Sequence, residues 1–328
     1  MLPAFPPFQP RLPWLGPDLQ TLRNMFVPPR ADLASFPVQR LILPLSDGSG
    51  DRLAALLQRP ARANHPLVVL IHGLSGTEES AYMQASAAAL LNAGHSVLRL
   101  NLRGAGASRP LCRLQYHAGR SGDLRDALTA LDPDLIERGL FLVGYSLGGN
   151  MLLKFLAEHT AGFPILAAAS VSAPIELAEA SQRILERRNR VYHRYLLRYM
   201  RAESLGDGAA LTVAEQHCIN AARTIVEFDD RFVAPRNGYA DAGEYYAKNS
   251  AAQYLGAVHV PTLIMYARDD PWIPASAYQR VAWAQYRQLV PLLPAAGGHV
   301  GFHGRGSLQP WHDRCLIMWF RHHAQADA

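Results

Sequence analysis

The residues best suited to chemistry stand in Gly144-Tyr145-Ser146-Leu147-Gly148. A serine hydroxyl is a weak nucleophile until a neighbouring base takes its proton. Ser146 lies between an apolar run, Leu140 to Val143, and an apolar-periodic stretch, Leu147 to Glu158, so it falls on a strand-to-helix turn. A turn this tight needs residues without bulk two before and two after the serine, and glycine fills both places. The serine then meets a helix N-terminus, whose dipole favours a developing negative charge. The competing reading, a glycine-rich turn with a chance serine, does not account for the strand and helix on either side.

Three further stretches have the same placement. His72-Gly73-Leu74-Ser75-Gly76 follows the apolar run Leu67 to Ile71. Attack on a carbonyl needs two preorganised N–H donors for the oxyanion. One comes from the residue after the nucleophile and one from such a first-strand loop, which points to the amides of Leu147 and Leu74. His72 itself reads as a loop-shaping residue, with a catalytic role as the alternative. Asp269 and Asp270 follow the run Thr262 to Tyr266, and His299 sits in the glycine-rich Gly297 to Phe302 after Gln288 to Leu293. Ser146, Asp270 and His299 thus form a candidate triad. Asp270 is preferred to Asp269 because Pro271 biases the residue before it toward extended backbone, fixing its carboxylate, but both remain open. His299 and His303 also have the spacing of a helical zinc pair. Glycines at 297, 298, 301 and 304 oppose a helix there, and Val300 occupies the place of the glutamate in HExxH. No metal and no cofactor are expected. His117, His322 and His323 read as structural or surface residues.

The elements that must position these groups are legible as alternating runs. Arg40 to Leu45 and Leu53 to Leu57 flank a turn-like DGSGD and predict an antiparallel hairpin. Strands are predicted over 67–71, 96–100, 140–143, 166–171, 262–266 and 288–293, with helices over 79–92, 122–131, 147–158 and 275–285. Such alternation predicts an α/β fold, a mostly parallel sheet covered by helices on both faces. Between residues 174 and 255 the alternation stops. Ile184, Val191, Tyr192, Tyr195, Leu196 and Tyr199 recur at three- and four-residue steps, predicting an amphipathic helix with these six facing inward. Its other face carries Arg183, Arg187, Arg190, Arg194, Arg198 and Arg201, read as a solvated face or, alternatively, one that meets anionic ligands or lipid headgroups. The expected organisation is an arm over 1–39, a core over 40–175 and 256–322, and a helical cap over 176–255. The arm holds much of the chain's proline together with Phe5, Phe8 and Trp14, and is expected to lie over the domain surface without helix or central strand.

Composition bounds the rest. The 328 residues are 49% hydrophobic and 18% charged, which suits a globular chain with a real core. Net charge is +5, but only Lys154 and Lys248 are lysines, and the arginines largely alternate with acids, so nucleic-acid binding is not expected. No apolar run is long enough for a membrane span, and no signal-peptide core is visible. Three separated cysteines, Cys112, Cys218 and Cys315, fit a reducing cytoplasm better than a disulfide framework.

The stretches HGLSG, NLRGAGAS, YHAG, GYSLGGNMLLKFL and ARDDPWIP resemble the YheT-like branch of the α/β-hydrolases, as do DLQTL and FDDRFVAPRNGYADAGEYY. Arg120-Ser121-Gly122 departs from the acidic residues expected after YHAG. The resemblance implies a carboxylesterase acting on short- to medium-chain acyl esters, with the triad on Ser146, Asp270 and His299. Tyr145, beside the serine, and Tyr192 and Tyr195, on the cap, are the expected substrate contacts. The expected partner is a small-molecule ester, with peripheral lipid contact open. Two rivals stand beside it: an alcohol acyltransferase on the same triad, and a non-enzymatic lipid- or nucleic-acid-binding protein using the arginine-rich cap.

Overall fold

The computed structural model describes residues 2–27, 32–63 and 65–324. Eight strands form one sheet: β1 (Val38–Pro44), β2 (Arg52–Gln58), β3 (Leu67–Ile71), β4 (Val97–Leu100), β5 (Leu140–Tyr145), β6 (Ile165–Val171), β7 (Thr262–Met265) and β8 (Leu289–Leu292). Their order is β1-β2-β4-β3-β5-β6-β7-β8. The predicted hairpin pairs β1 with β2, β2 runs antiparallel to β4, and every later pairing is parallel.

The central strands are apolar throughout because both faces are covered; every residue of β3 and β5 is buried. Alternation sends Val69, Ile71 and Leu142 to one face, against Leu152 and Phe155 of the helix Leu147–Glu158. It sends Val68, Leu70, Val143 and Tyr145 to the other, against Leu90 of the helix Ala81–Asn92 and Trp319 and Phe320 of the helix Trp311–Ala324. In β4, the turn after the strand is held by Arg103, fully buried, whose guanidinium pairs with Asp47, Asp51 and Asp123. Those carboxylates keep it firmly protonated against the cost of burial.

Between β6 and β7 the chain leaves the sheet and forms helices, including Leu177–Leu185, Arg190–Ser204 and Ala242–Asn249. The predicted single amphipathic helix is two, separated by a short turn over Arg187–Asn189. Its inward face also needs correction. Tyr192, Leu196, Leu197 and Met200 are buried, whereas Val191 is 78% exposed and Tyr195 and Tyr199 face largely outward. Aromatic rings with polar tips suit either face, so spacing alone misjudged them. Of the arginines, Arg201 turns inward to the carbonyls of Ile219 and Ala222, and Arg183 pairs with Glu186.

The arm does lie over the surface: Phe8 packs edge-on against Phe302 and Trp311, and the Trp311 indole N–H donates to the Pro6 carbonyl at 2.7 Å. It is not helix-free as predicted. Pro17–Phe26 forms a helix that starts on its proline, a position where the missing N–H costs nothing and the fixed φ suits the first turn.

Candidate active site

Ser146 occupies the turn between β5 and the helix Leu147–Glu158 with φ 51° and ψ −123°, a strained backbone that other contacts must hold. Its N–H donates to the Val171 carbonyl at 2.8 Å, and its own carbonyl accepts from Gly149 and Asn150. Gly144 and Gly148 allow the close approach: a Cβ on Gly148 would overlap the His72 carbonyl, and one on Gly144 would overlap Gly148 itself. Gly148→Ala should therefore destabilise the fold by about 3 kcal/mol, read as a lowered denaturation midpoint. An unchanged midpoint would show that the turn has slack that the packing does not reveal.

The histidine loop after β8 brings His299 to the serine. The Ser146 hydroxyl donates to His299 Nε2 at 2.9 Å, and His299 Nδ1–H donates to Asp270 Oδ2 at 2.7 Å. A carboxylate can only accept, so the network places the ring proton on Nδ1. Asp270 is itself held by the N–H groups of Trp272 and Ile273, at 2.8 and 3.1 Å to Oδ1. Asp269 turns away and accepts the Gly298 N–H at 2.9 Å, so it ties the loop and does not touch the imidazole. Trp272 stacks on the His299 ring with centroids 4.3 Å apart. The His299 N–H donates to Thr21 Oγ1 at 2.9 Å, which makes the arm helix a wall of the site.

Across from the histidine, the loop after β3 is gripped on both sides of one amide. The Gly73 N–H donates to the Tyr82 hydroxyl at 2.9 Å and the Ser75 N–H to the Tyr116 hydroxyl at 2.7 Å. The Leu74 amide between them, and the Leu147 amide at the helix start, have no hydrogen-bond acceptor among the described residues. Tyr116 in turn donates to Glu203 at 3.0 Å, a carboxyl that burial pushes up to about 7. His72 is buried beneath the loop, where its Nε2 accepts the Leu102 N–H at 3.0 Å and its Nδ1 meets the Gly73 carbonyl. Burial pushes it down to about 4, so it stays neutral and shapes the loop.

Two clefts meet at Ser146 and His299. The inner one, of about 120 Å³, is mostly apolar, walled by Leu177, Ile184, Leu196, Met200 and Ile225. Asp229 also lines it; its Oδ2 accepts from the Tyr246 hydroxyl at 2.6 Å, and burial pushes the carboxyl up to about 7. The outer cleft, of about 580 Å³, is open between the arm helix and the helix Arg190–Ser204.

The three expected tyrosine contacts fare differently. Tyr145 does not reach either cleft: as a β5 residue of the Val143 parity it points to the opposite sheet face, and its hydroxyl donates to Ser86 at 2.7 Å. Ser86 passes a hydrogen bond on to Asp313. Tyr192 and Tyr195 line the outer cleft only, Tyr192 donating to Asp18 at 3.0 Å and packing edge-on against Trp272. Thr21, Tyr82, Tyr116, Trp272 and Asp229 were not anticipated, although four of them lie in stretches that carried the family resemblance. Among the described residues, no group of three or more His, Cys, Asp or Glu could hold a metal ion, and no helix is long and apolar enough to cross a membrane.

The family of the α/β hydrolase fold matches residues 66–304, the span from β3 to the end of the histidine loop. This chain is an α/β-hydrolase. The hydrolase is 34% identical over 297 residues to YheT of Escherichia coli (strain K12), a candidate esterase by name, covering 88% of this chain and 85% of that one. It therefore belongs to the YheT-like, esterase-type branch. It is also 27% identical over 267 residues to a monoacylglycerol lipase of Saccharomyces cerevisiae, covering 78% of this chain and 59% of that one. Among solved structures, the Pyrococcus furiosus esterase Pf2001 superimposes with a TM-score of 0.60 over 98% of the hydrolase and 99% of its own chain, at 14% identity. That likeness is one of fold.

Proposed function

We propose that the protein hydrolyses carboxylic esters of short to medium acyl chains through a Ser146–His299–Asp270 triad and an acyl-enzyme. The observation that carries this reading is the continuous pair of hydrogen bonds, 2.9 and 2.7 Å, from serine through histidine to aspartate. Ser146 Oγ attacks the ester carbonyl while His299 Nε2 takes its proton. Asp270 holds the imidazole in the needed tautomer and stabilises the imidazolium that forms. The Leu74 and Leu147 amides receive the oxyanion; the first costs no reorganisation because Tyr82 and Tyr116 already fix the loop around it, and the second is fixed by the start of its helix. His299 then protonates the leaving alcohol, and a water activated by the same nitrogen releases the acid.

In this reading residues 176–255 act as a cap over the core, the inner cleft takes the acyl chain and the outer cleft takes the alcohol. No cofactor takes part. Tyr192 and Tyr195 would then touch the alcohol and not the acyl chain. The unpaired Cys112, Cys218 and Cys315 suit a reducing compartment, and we place the enzyme in the cytoplasm. Transfer to an alcohol would use the same residues, and a cleft wide enough for water also admits a small alcohol, so the product ratio with added ethanol separates the two.

The test is a p-nitrophenyl ester series of increasing chain length on the purified protein, with ethanol added to partition water against alcohol. Turnover is expected to peak at short to medium chains and give mainly free acid. No turnover at any length would remove the reading. Met200→Trp, which fills the inner cleft, should shift the optimum to shorter chains and lower the longest accepted ester by at least tenfold in kcat/KM. Equal loss at every length would mean that Met200 does not face the acyl group.

A further inference from the structure

The inner cleft holds one group that ester chemistry does not need. Asp229 is 7% exposed and lines the same cavity as Ser146 and His299, among Leu177, Ile184, Met200 and Ile225. It opens a turn of π-helix, Asp229–Val233, a wide turn frequent at functional sites. One carboxyl oxygen, Oδ2, is bound by the Tyr246 hydroxyl at 2.6 Å. The other, Oδ1, has no hydrogen-bond partner among the described residues. A pocket built only for hydrocarbon would be served better by a leucine, because a half-satisfied buried carboxyl is costly. Ser181, whose hydroxyl donates to the Ala178 carbonyl at 2.8 Å, lines the cavity too and gives it a polar corner.

We propose that Asp229 selects acyl groups that carry a hydroxyl along the chain, with the substrate O–H donating to Asp229 Oδ1 while Tyr246 holds Oδ2. The inference rests on the esterase reading of Ser146 and names the substrate class of that same site. The hydroxyl suits the carboxyl in either protonation state, since the carboxylate accepts and the acid both accepts and donates. Burial, which pushes this carboxyl up to about 7, makes both forms accessible near neutrality. A site built to pair with a substrate hydroxyl discriminates against the analogue lacking it far more sharply than an apolar wall discriminates by size.

The experiment is a hydroxyl scan. p-Nitrophenyl octanoate is compared with its monohydroxy derivatives, omitting positions that cyclise to lactones, on the full-length protein. At one position the hydroxylated ester should exceed the plain ester at least tenfold in kcat/KM, and Asp229→Leu should reduce that ratio to one or below. A flat scan with the wild-type protein overturns the proposal whether or not the leucine variant folds. So does a preference that survives in Asp229→Leu, or a stronger preference for an amino group at the same position. Labelling by a fluorophosphonate separates the two readings. A flat scan with Ser146 labelled and plain esters consumed defeats only the role of Asp229, whereas an unlabelled Ser146 with no turnover defeats both.

Discussion

Ser146→Ala should lower ester turnover by about 10⁶ and leave the fold unchanged. The size follows from the loss of the hydroxyl that forms the acyl-enzyme in the proposed mechanism: His299 Nε2 accepts from Ser146 at 2.9 Å. What remains would be binding and the oxyanion amides acting on water alone. Alanine keeps the backbone strain at φ 51° and removes only the hydroxyl, so the denaturation midpoint should stay near the wild-type value. A fluorophosphonate should label Ser146 and no other serine. An adduct on another residue, or normal turnover by the alanine variant, would refute the assignment.

Asp270→Asn should lower kcat by about 10⁴, and Asp269→Asn by less than about tenfold. The carboxamide at 270 would still accept from the Trp272 and Ile273 N–H groups, so the acid turn should survive. Facing His299 Nδ1 it would present an N–H₂, which forces the ring proton onto Nε2 and removes the acceptor that Ser146 needs. At 269 the carboxamide oxygen can go on accepting the Gly298 N–H, so the histidine loop keeps its anchor. Kinetics of the two variants side by side decide the matter. A collapse at 269 with 270 nearly silent would exchange their roles.

Much of this arrangement was legible because it is local. Glycines flanking Ser146, an aspartate before a proline and a histidine among glycines are each set by the backbone at that point, and the strands are continuous apolar runs. The sheet parity that turns Tyr145 away was available in principle: counting two residues on from the buried Val143 puts Tyr145 on the same face as Val143, away from the site, and adjacency to the serine proved a poorer guide than alternation. The arm helix was hidden by counting prolines without asking where each would fall, since Pro17 opens the helix. Thr21, Tyr82 and Tyr116 carried no signal of their own. Their contacts with His299, Gly73 and Ser75 depend on elements remote in sequence or on side-chain direction, and spacing encodes neither. Asp229 carried no spacing signal either, because only the fold sets its carboxyl among Leu177, Ile184, Met200 and Ile225.

The arm has one more consequence, for the order in which a ribosome delivers the pieces. Gln20 bonds the backbone of His303, and Pro6 receives the Trp311 indole, so these early segments find partners in segments 283 to 305 residues later in the sequence. Nearly the whole chain must emerge before Phe5 and Phe8 have an apolar surface to cover, and contacts of such long sequence separation form slowly. Until then two phenylalanines in a proline-stiffened, hydrogen-bond-poor tail are open to chaperones and to other nascent chains. The turn that holds Ser146, by contrast, can close as soon as β3, β5, β6 and the helix after it are out. In the proposed mechanism the serine is thus in place early and gains its base last, when the histidine loop and the arm lock together.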